Sequence, residues 1–261
     1  MALTNALITG ASAGIGYEIS KLLAAQGHDL VLVARREDRL QQLADYLRRE
    51  YGIAVRVLAL DLSQPQQIDT LYQTLERENI PVDILVNNAG VGSYAAFTKT
   101  GMDSIQQQLD LNIQALTLLC RRFAEDMARR GLGKILNIAS LSGFMPGPYL
   151  AVYHASKAYV VALSEALQAE LKGTGVSVTV SCPGPVATEF HGVAGTTGSL
   201  FLKLLPMQSA AQVAGHAVSA MDKRRTVAVP GLFNQLLMLL ARLTPRPLLL
   251  WCLKQLLRPR S

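Results

Sequence analysis

Residues 5–16, NALITGASAGIG, consist of a short apolar run followed directly by a turn that contains Gly10, Gly14 and Gly16. The segment that continues from Gly16, GYEISKLLAAQG, has the pattern of a helix. Glycine lets a backbone turn sharply and approach a pyrophosphate, and a helix that starts there offers unpaired N–H groups to phosphates. Tight turns also use glycine for steric reasons alone, but the position between a strand and a helix favours the nucleotide interpretation. The stretch therefore predicts a dinucleotide-binding loop.

Apolar runs of strand length alternate with helix-length segments along the rest of the chain. After NALIT these runs are HDLVLVA, AVRVLAL, VDILVNNAG, KILNIAS, VSVTVSCPG and TVAVP. Strands without polar alternation, separated by helices, indicate a parallel sheet that is covered on both faces. The prediction is an α/β fold, a Rossmann-type doubly wound parallel sheet of about seven strands, with ligands at the carboxyl ends of its strands.

The chain is expected to form one domain and a tail. Half of its 261 residues are apolar, and no linker is evident before about residue 230. Residues 1–230 are predicted to form the nucleotide-binding domain, with a substrate lid at about 188–210. Residues 231–261 are predicted to be a basic, leucine-rich, helical C-terminal tail.

The net charge of +6 is unevenly distributed. Eight of the 25 Lys and Arg residues, and no acid, lie between Lys223 and Ser261, so the remaining seventeen cations are outnumbered by 19 acids. No aromatic-interleaved basic stripe accompanies the tail cations, so a nucleic-acid partner is not expected. The three cysteines form no CxxC pair, and the N-terminus has no cationic leader, so we expect a cytoplasmic protein with reduced thiols.

The second apolar run ends in two arginines, in LVLVARRE at residues 30–37. Arg35 lies nineteen residues after Gly16, close to the offset of about 20 at which an acid usually binds the ribose 2′-hydroxyl. An acid there would repel a 2′-phosphate, whereas arginine binds it through charge-assisted contacts. Arg35 and Arg36, with the Ser12 hydroxyl beside them, therefore predict NADP(H) as cofactor. The alternative is that both arginines are solvated residues at the start of the next helix.

Residues 153–157, YHASK, place Tyr153 and Lys157 on one face of a predicted helix. A neighbouring ammonium is expected to lower the pKa of the phenol and so to suit it for proton transfer. Ser140 lies thirteen residues upstream, at the end of the strand KILNIAS, where its hydroxyl can hydrogen-bond a substrate oxygen. Ser142 is the weaker candidate for this role. His154 is expected to lie on the helix surface, and the scattered histidines predict no metal site.

In this combination the chain resembles the short-chain dehydrogenase/reductase family over about residues 3–230. TGASAGIG is similar to the family's TGxxxGxG, Asp61-Leu62 to its adenine-contacting acid, NNAG at 87–90 to its turn beneath the cofactor, and PGPVAT at 183–188 to its PGxVxT. The resemblance implies an active site of Ser140, Tyr153, Lys157 and Asn112. It implies cofactor contacts from Gly10, Ser12, Ala13, Gly14, Ile15, Gly16, Arg35, Arg36, Asp61, Leu62, Asn88, Ala89, Gly90, Tyr153, Lys157, Pro183, Gly184, Val186 and Thr188.

The resemblance implies hydride transfer between NADP(H) and a carbonyl/alcohol pair. Residues 141–150 and the segment after Thr188 are expected to select the substrate. Their apolar side chains, Phe144, Met145, Tyr149, Phe190, Phe201, Leu204, Leu205 and Met207, favour a hydrophobic ketone of acyl-lipid or steroid-like type. These side chains could instead simply pack the lid down. The competing hypothesis for the whole chain is a non-catalytic NADP-binding sensor or scaffold, which the intact set of site residues disfavours.

The tail predicts two short helices, near 232–243 and 247–257, divided by Pro245 and Pro247. Neither has the roughly 18 apolar residues needed to span a bilayer. The second places Lys254 and Arg258 on one face among leucines and Trp251, a pattern that suits peripheral contact with an anionic membrane. The alternative is that the tail packs on the body or on another subunit. In the second case the protein would be a homo-oligomer.

Overall fold

The apolar run before the glycines forms the first strand, β1 (Asn5–Thr9), and its last four residues are buried. The structure, a computed structural model, describes residues 4–196 and 205–258 of the chain. Further strands follow in chain order: β2 (Asp29–Ala34), β3 (Val55–Ala59), β4 (Ile84–Asn87), β5 (Gly133–Ile138), β6 (Val176–Ser181), β7 (Val186–Ala187), β8 (Gln208–Ser209) and β9 (Val227–Ala228).

Seven of these strands form one parallel sheet with the order β3-β2-β1-β4-β5-β6-β9. The chain builds outward from β1 in one direction through β3 and then returns to add β4 on the other side of β1. The crevice between the carboxyl ends of β1 and β4 is the switch point where doubly wound sheets bind their ligands. The predicted Rossmann-type sheet is confirmed, and all seven predicted strands belong to it.

Helices cover both faces of this sheet. In chain order they are α1 (Gly14–Ala25), α2 (Glu37–Tyr51), α3 (Pro65–Arg77), α4 (Met102–Leu109), α5 (Leu116–Arg130), α6 (Ala151–Glu170), α7 (Phe190–Ala194), α8 (Ala210–Asp222), α9 (Leu232–Leu243) and α10 (Arg246–Leu256). Because successive strand residues point to opposite faces, Leu7 joins the core under α3, α5 and α6, whereas Ile8 joins the core under α1, α2 and α8. Burial on both sides explains why these strands have no polar alternation.

The helical stretch between β4 and β5 contains a wider turn. Between α4 and α5 the residues Asp110–Ala115 form a π-helical turn. Its Asn112 accepts a hydrogen bond from the Val91 amide at 2.9 Å and donates one to the Val91 carbonyl at 2.8 Å. Such turns occur often at functional sites. Here the turn fixes the loop that follows β4 and so shapes the sheet's carboxyl edge.

The tail forms the two predicted helices, α9 and α10, and they pack against the body through one side. Leu249, Leu253 and Leu257 form a buried cluster with Ala241 and with Leu150 of the body. The Tyr94 hydroxyl donates a hydrogen bond to the Leu257 carbonyl at 2.8 Å, which holds the end of the tail. In the parts of the chain that the structure describes, no helix has the length and apolar character needed to cross a bilayer.

Candidate active site

A cavity of about 410 Å³ lies along the carboxyl ends of β1 to β6. It brings together residues that are far apart in the chain, and they include most of the predicted site. The predicted residues on its wall are Gly10, Ser12, Ala13, Gly14, Ile15, Arg35, Arg36, Asp61, Leu62, Asn88, Ala89, Gly90, Ser140, Tyr153, Lys157, Pro183, Gly184, Val186 and Thr188. The other two, Gly16 and Asn112, do not line it, although Asn112 is hydrogen-bonded to Val91, which does.

The glycine loop has the backbone conformation that its sequence predicts. Gly10 has a φ of +66° and Gly14 a φ of +59°, both in the left-handed region. A Cβ on Gly16 would lie 2.5 Å from the Gly10 carbonyl oxygen, so only glycine fits there. The Asn88 side-chain amide donates to the carbonyls of Thr9 at 3.0 Å and Gly10 at 3.1 Å. These contacts hold the loop in a tight turn, and its glycines let the backbone approach a ligand without interference from side chains.

The donors at the start of α1 fit the pyrophosphate of a dinucleotide. The N-cap residue is Ala13, whose side chain cannot cap the helix, and the first turn of α1 contains no acidic residue. Its N–H groups are therefore left for a ligand, and the helix dipole favours an anion there. Asp61 lines the same cavity, and its carboxylate accepts hydrogen bonds from the Ser63 amide at 3.1 Å and hydroxyl at 2.8 Å. These contacts fix the carboxylate at the cavity wall.

Arg36 connects the end of β2 to the glycine loop. Its Nη2 donates to the Ser12 hydroxyl at 3.1 Å, and its Nη1 donates to Glu189 at 2.8 Å. Arg39, which sequence reasoning missed, donates to the same carboxylate at 2.5 Å. Both hydrogen bonds, that of Arg39 first, lower the pKa of Glu189. Arg35 is exposed and lines the cavity beside them. Arg39 could have been predicted from its spacing, because it lies three residues after Arg36, on the first turn of α2.

Tyr153 and Lys157 lie one turn apart on α6, and the side chain of Lys157 reaches Ile138, the last residue of β5. The Lys157 Nζ is 5.7 Å from the centroid of the Tyr153 ring and donates to the Ile138 carbonyl at 2.9 Å. A Cβ on Gly90 would lie 3.4 Å from this Nζ and 3.2 Å from Asn112 Oδ1. The lysine and the asparagine thus approach the same point beside the turn that follows β4.

Burial dominates the electrostatics of this pair. It raises the pKa of Tyr153 to about 12, against the effect of a hydrogen bond with Ser140 that lowers it. Burial also lowers the pKa of Lys157 to about 8. The expected net lowering of the Tyr153 pKa is therefore wrong for this structure. The physical reason is that desolvation of the partly buried phenol outweighs the groups that favour the phenolate, so Tyr153 keeps its proton at neutral pH.

Ser140 is the serine that affects the pKa of Tyr153. It lies two residues after the end of β5, and its hydroxyl accepts a hydrogen bond from the Ser142 amide at 3.1 Å and donates one to the Pro183 carbonyl at 3.5 Å. Both serines line the cavity. The hydrogen bond that lowers the pKa of Tyr153 comes from Ser140.

His154 is buried, so its predicted place on the helix surface is wrong. Its ring Nδ1 lies 2.9 Å from the Met145 carbonyl, and burial lowers its pKa. The residue precedes Lys157 by three positions and therefore shares the inward face of α6. That spacing was the signal that could have placed it. His154 holds the loop at 141–150 against the helix and also lines the cavity.

Part of the remaining wall is apolar and is formed by the side chains of Met145, Leu150, Phe190, Leu253 and Leu257. The rest of it includes polar residues, among them Ser142, His191 and Thr196. The Phe190 ring packs on the Tyr153 ring, with 5.2 Å between centroids.

Other predicted substrate residues have different surroundings. Phe144 lies under the Arg242 guanidinium, and Met207 is exposed. Phe201 and Leu204 lie outside the described residues. The contribution of the tail through Leu253 and Leu257 was missed, although leucines at 249, 253 and 257 have the i,i+4 spacing of one helix face.

Similarity to known proteins agrees with this geometry. The family model described as short chain dehydrogenase matches residues 4–197. The ketoacyl reductase HetN of Nostoc sp. is 33% identical over 223 residues, which are 85% of this chain and 77% of that protein.

Two solved structures have a similar fold. The short-chain dehydrogenase from Sphingobium yanoikuyae in complex with NADPH is 37% identical, has a TM-score of 0.82, and covers 88% of this chain and 89% of its own. The bulky-bulky ketone specific alcohol dehydrogenase from Comamonas testosteroni is 32% identical, with a TM-score of 0.78 over 94% of this chain and 96% of its own. Sheet order, cavity and similarity lead to one conclusion: the chain belongs to the short-chain dehydrogenase/reductase family of oxidoreductases.

Proposed function

We propose that this protein is an NADP(H)-dependent oxidoreductase that reduces a hydrophobic ketone, of acyl-lipid or steroid-like type, to its secondary alcohol. The observation that carries the proposal is the cavity itself. One part of its wall is the glycine loop with the arginines, and another part holds Ser140, Tyr153 and Lys157 beside apolar side chains. A nucleotide and a hydrophobic carbonyl compound can therefore meet at the tyrosine.

The cofactor would be held by the loop residues, by Asp61 and Leu62, by the turn at 88–90, and by Pro183, Gly184, Val186 and Thr188. When bound, NADPH supplies the hydride that the carbonyl carbon accepts. The choice of NADP(H) over NAD(H) rests on the cations at the end of β2, of which Arg36 already contacts Ser12. Guanidinium groups bind phosphate oxygens in a charge-assisted, forked geometry. The structure of the similar Sphingobium protein, which contains NADPH, supports this choice.

The proton route belongs to this chain's own side chains. Tyr153, protonated at neutral pH, donates its hydroxyl proton to the substrate oxygen, and Ser140 donates a hydrogen bond to the same oxygen. Lys157 in its charged form stabilises the phenolate that Tyr153 becomes. The Asn112 side-chain amide forms two hydrogen bonds with the Val91 backbone and donates a third to the Ser156 hydroxyl at 3.1 Å. It therefore connects the turn that follows β4 to α6.

The substrate class follows from the apolar wall. Met145, Leu150, Phe190 and the two tail leucines offer an environment that stabilises hydrocarbon rather than charge. Two similar proteins bear names that agree with such a substrate, a ketoacyl reductase and a bulky-bulky ketone specific alcohol dehydrogenase. We assign substrate selection to residues 141–150, to the lid at about 188–210 and to α10.

A panel of ketones assayed with NADPH and with NADH tests the proposal. We expect oxidation of NADPH, followed by its loss of absorbance, to be fastest with long-chain β-ketoacyl thioesters or cyclic ketones and slow with small polar ketones. Selective turnover of small polar carbonyl compounds would overturn the substrate class. Tight binding of NADPH without turnover of any member would instead support the sensor or scaffold hypothesis.

We also propose a cytoplasmic location and one catalytic domain over residues 1–230. The three cysteines, Cys120, Cys182 and Cys252, are free, and the first two are buried, as suits a reducing compartment. Fractionation of the source cells, followed with an antibody to the protein, tests the location. Recovery in a secreted fraction would overturn it.

A further inference from the structure

The outer side of the tail is an exposed apolar surface. On α9 it consists of Leu232, Phe233, Leu236, Leu239, Leu240 and Leu243, and on α10 of Leu248, Leu250 and Trp251. We call these nine residues the tail surface. Leu232 is 83% exposed, Leu243 72% and Trp251 62%. Their spacing on α9, with steps of three and four residues, makes a continuous stripe along the helix.

This surface is not the side through which the tail packs on the protein. The packing side holds Ala241, Leu249, Leu253 and Leu257, all of which are buried. A helix at the surface of a globular protein normally turns polar residues outward, but α9 and α10 are apolar on both sides. Clustered exposed leucines, a phenylalanine and a tryptophan are typical of a surface that binds another apolar phase.

Cations border the tail surface. Arg242, Arg246, Lys254 and Arg258 are exposed on the same two helices and at their end. The whole stretch from Lys223 to Ser261 contains no acid. Among the residues that the structure describes, none of the four cations forms an ion pair with a carboxylate. Their charge is therefore available to an anionic partner.

The charge distribution decides between two occupants of this surface. In a symmetric dimer each copy would place the same acid-free, cationic surface against its mate, and like charges would face each other. A membrane with anionic headgroups has the complementary charge, and its acyl boundary takes up leucine and tryptophan side chains. Neither helix is long enough to cross the bilayer, so both would lie in the interface.

We propose that the tail surface docks the protein on an anionic membrane, with α9 and α10 lying in the plane of the interface. Helix α10 turns Trp251 outward and contributes Leu253 to the cavity wall. A docked bilayer would thus lie about one helix diameter, roughly 10 Å, from the cavity. A lipophilic substrate dissolved in the membrane would be released close to the site, an advantage that rests on the proposed function, whereas the docking itself does not.

Co-sedimentation of the full chain with vesicles tests the docking. We expect binding to phosphatidylcholine vesicles that contain phosphatidylserine, and weaker binding to phosphatidylcholine alone or at high salt. Arg246→Glu and Lys254→Glu should each weaken binding by roughly fivefold or more, since each cation at an anionic surface contributes about that factor. Leu236→Asp and Leu240→Asp should weaken it further, because a carboxylate would enter the acyl boundary.

Matched controls lie at the amino-terminal ends of the strands, where β5 and β6 begin and opposite the ends that line the cavity. Leu132 is 50% exposed, close to the 52% of Leu236, and Lys172 is an exposed cation. Leu132→Asp and Lys172→Glu should bind vesicles as the unaltered chain does. Folded protein that stays in the supernatant with anionic vesicles, or equal losses in tail and control variants, would overturn the proposal. A dimer in sedimentation velocity that only the tail variants dissociate, without vesicle binding, would assign the surface to a second copy instead.

Discussion

Arg36 donates a hydrogen bond from Nη2 to the Ser12 hydroxyl, 3.1 Å away, and so places a guanidinium beside the glycine loop. If this group binds a 2′-phosphate, Arg36→Ala should weaken NADPH binding about 10- to 100-fold, the range expected for a lost charge-assisted hydrogen bond. NADH binding should stay nearly unchanged, because NADH has no 2′-phosphate. Titration of each cofactor by fluorescence measures both constants, and Arg35→Ala tests the second arginine in the same way.

Arg49→Ala provides the matched control for these titrations, since Arg49 lies on α2 with its side chain 70% exposed. It should bind both cofactors as the unaltered chain does. Equal losses for NADPH and NADH in Arg36→Ala would show that Arg36 only shapes the loop. An unaltered chain that prefers NADH would show that the proposed cofactor is wrong.

Glu189 would compete with a 2′-phosphate for Arg36. Its carboxylate accepts hydrogen bonds from Arg36 at 2.8 Å and from Arg39 at 2.5 Å, next to the site proposed for the phosphate. Glu189→Gln should strengthen NADPH binding by up to about fivefold, because exposed ion pairs contribute at most about 1 kcal/mol. The gain should shrink at high salt and should be absent for NADH. Weaker NADPH binding in this variant would mean that Glu189 orients the arginines rather than competing for them.

Removing the Tyr153 hydroxyl should separate chemistry from binding. Tyr153→Phe should lower kcat for the best ketone by at least about 100-fold, the usual contribution of a general acid, while NADPH binding changes little. Ser140→Ala should lower kcat in the same direction. The control is Tyr159→Phe on the same helix, whose hydroxyl lies 2.9 Å from Thr117 Oγ1 and is exposed. Substantial turnover by Tyr153→Phe would refute the proposed proton route.

The buried ammonium of Lys157 should leave a signature in stability. Its pKa is about 8 in the native state and 10.5 in the reference state, so between these values the unfolded chain binds a proton that the native chain does not. Stability relative to Lys157→Met should therefore rise with pH, by about 3 kcal/mol in total at about 1.4 kcal/mol for each pH unit. Below pH 8 the full penalty is present, and it is lost as pH approaches 10.5.

Urea unfolding of both proteins without cofactor, from about pH 7 to about pH 10, measures this difference. Groups that do not interact with Lys157 titrate alike in the two chains and cancel, whereas the coupled thiol of Cys182 does not, and its pKa is raised to about 12 by burial. Near-UV circular dichroism at each pH checks that both chains are native. A difference that stays flat with pH would show that Lys157 is hydrated in the native state.

The regular parts of the fold and site were predictable because local patterns specify them. NALIT and the strands after it are apolar on both faces, and burial under helices on both sides requires that pattern. The glycine loop was predictable because a Cβ at Gly16 cannot fit beneath it. Tyr153 and Lys157 share a helix face through spacing alone. Each of these features is contained in a short stretch of chain.

The features that were missed depend on contacts between distant segments. Glu189 meets Arg36 across 153 positions and Tyr94 meets Leu257 across 163, and no local pattern encodes such pairs. The pKa of Tyr153 depends on how deeply the phenol is buried, which the sequence does not give. His154 is different, because its spacing of three residues from Lys157 is a local pattern that already places both residues on one face of the helix.

The contribution of the tail to the cavity leads to a prediction about substrate size. Leu253 is buried and lines the cavity, whereas Leu249, four residues earlier, is buried in the same cluster away from the cavity. Leu253→Ala should enlarge the substrate space and shift the ratio of kcat/KM between a bulky and a small ketone by about tenfold or more towards the bulky one. Leu249→Ala should loosen the tail to a comparable degree, since both changes remove a buried leucine, yet leave that ratio unchanged. Steady-state kinetics of both variants with the same two ketones decides the matter. Equal shifts in both would indicate that the tail affects substrate choice through its packing, and no shift in either would show that α10 does not contact the substrate.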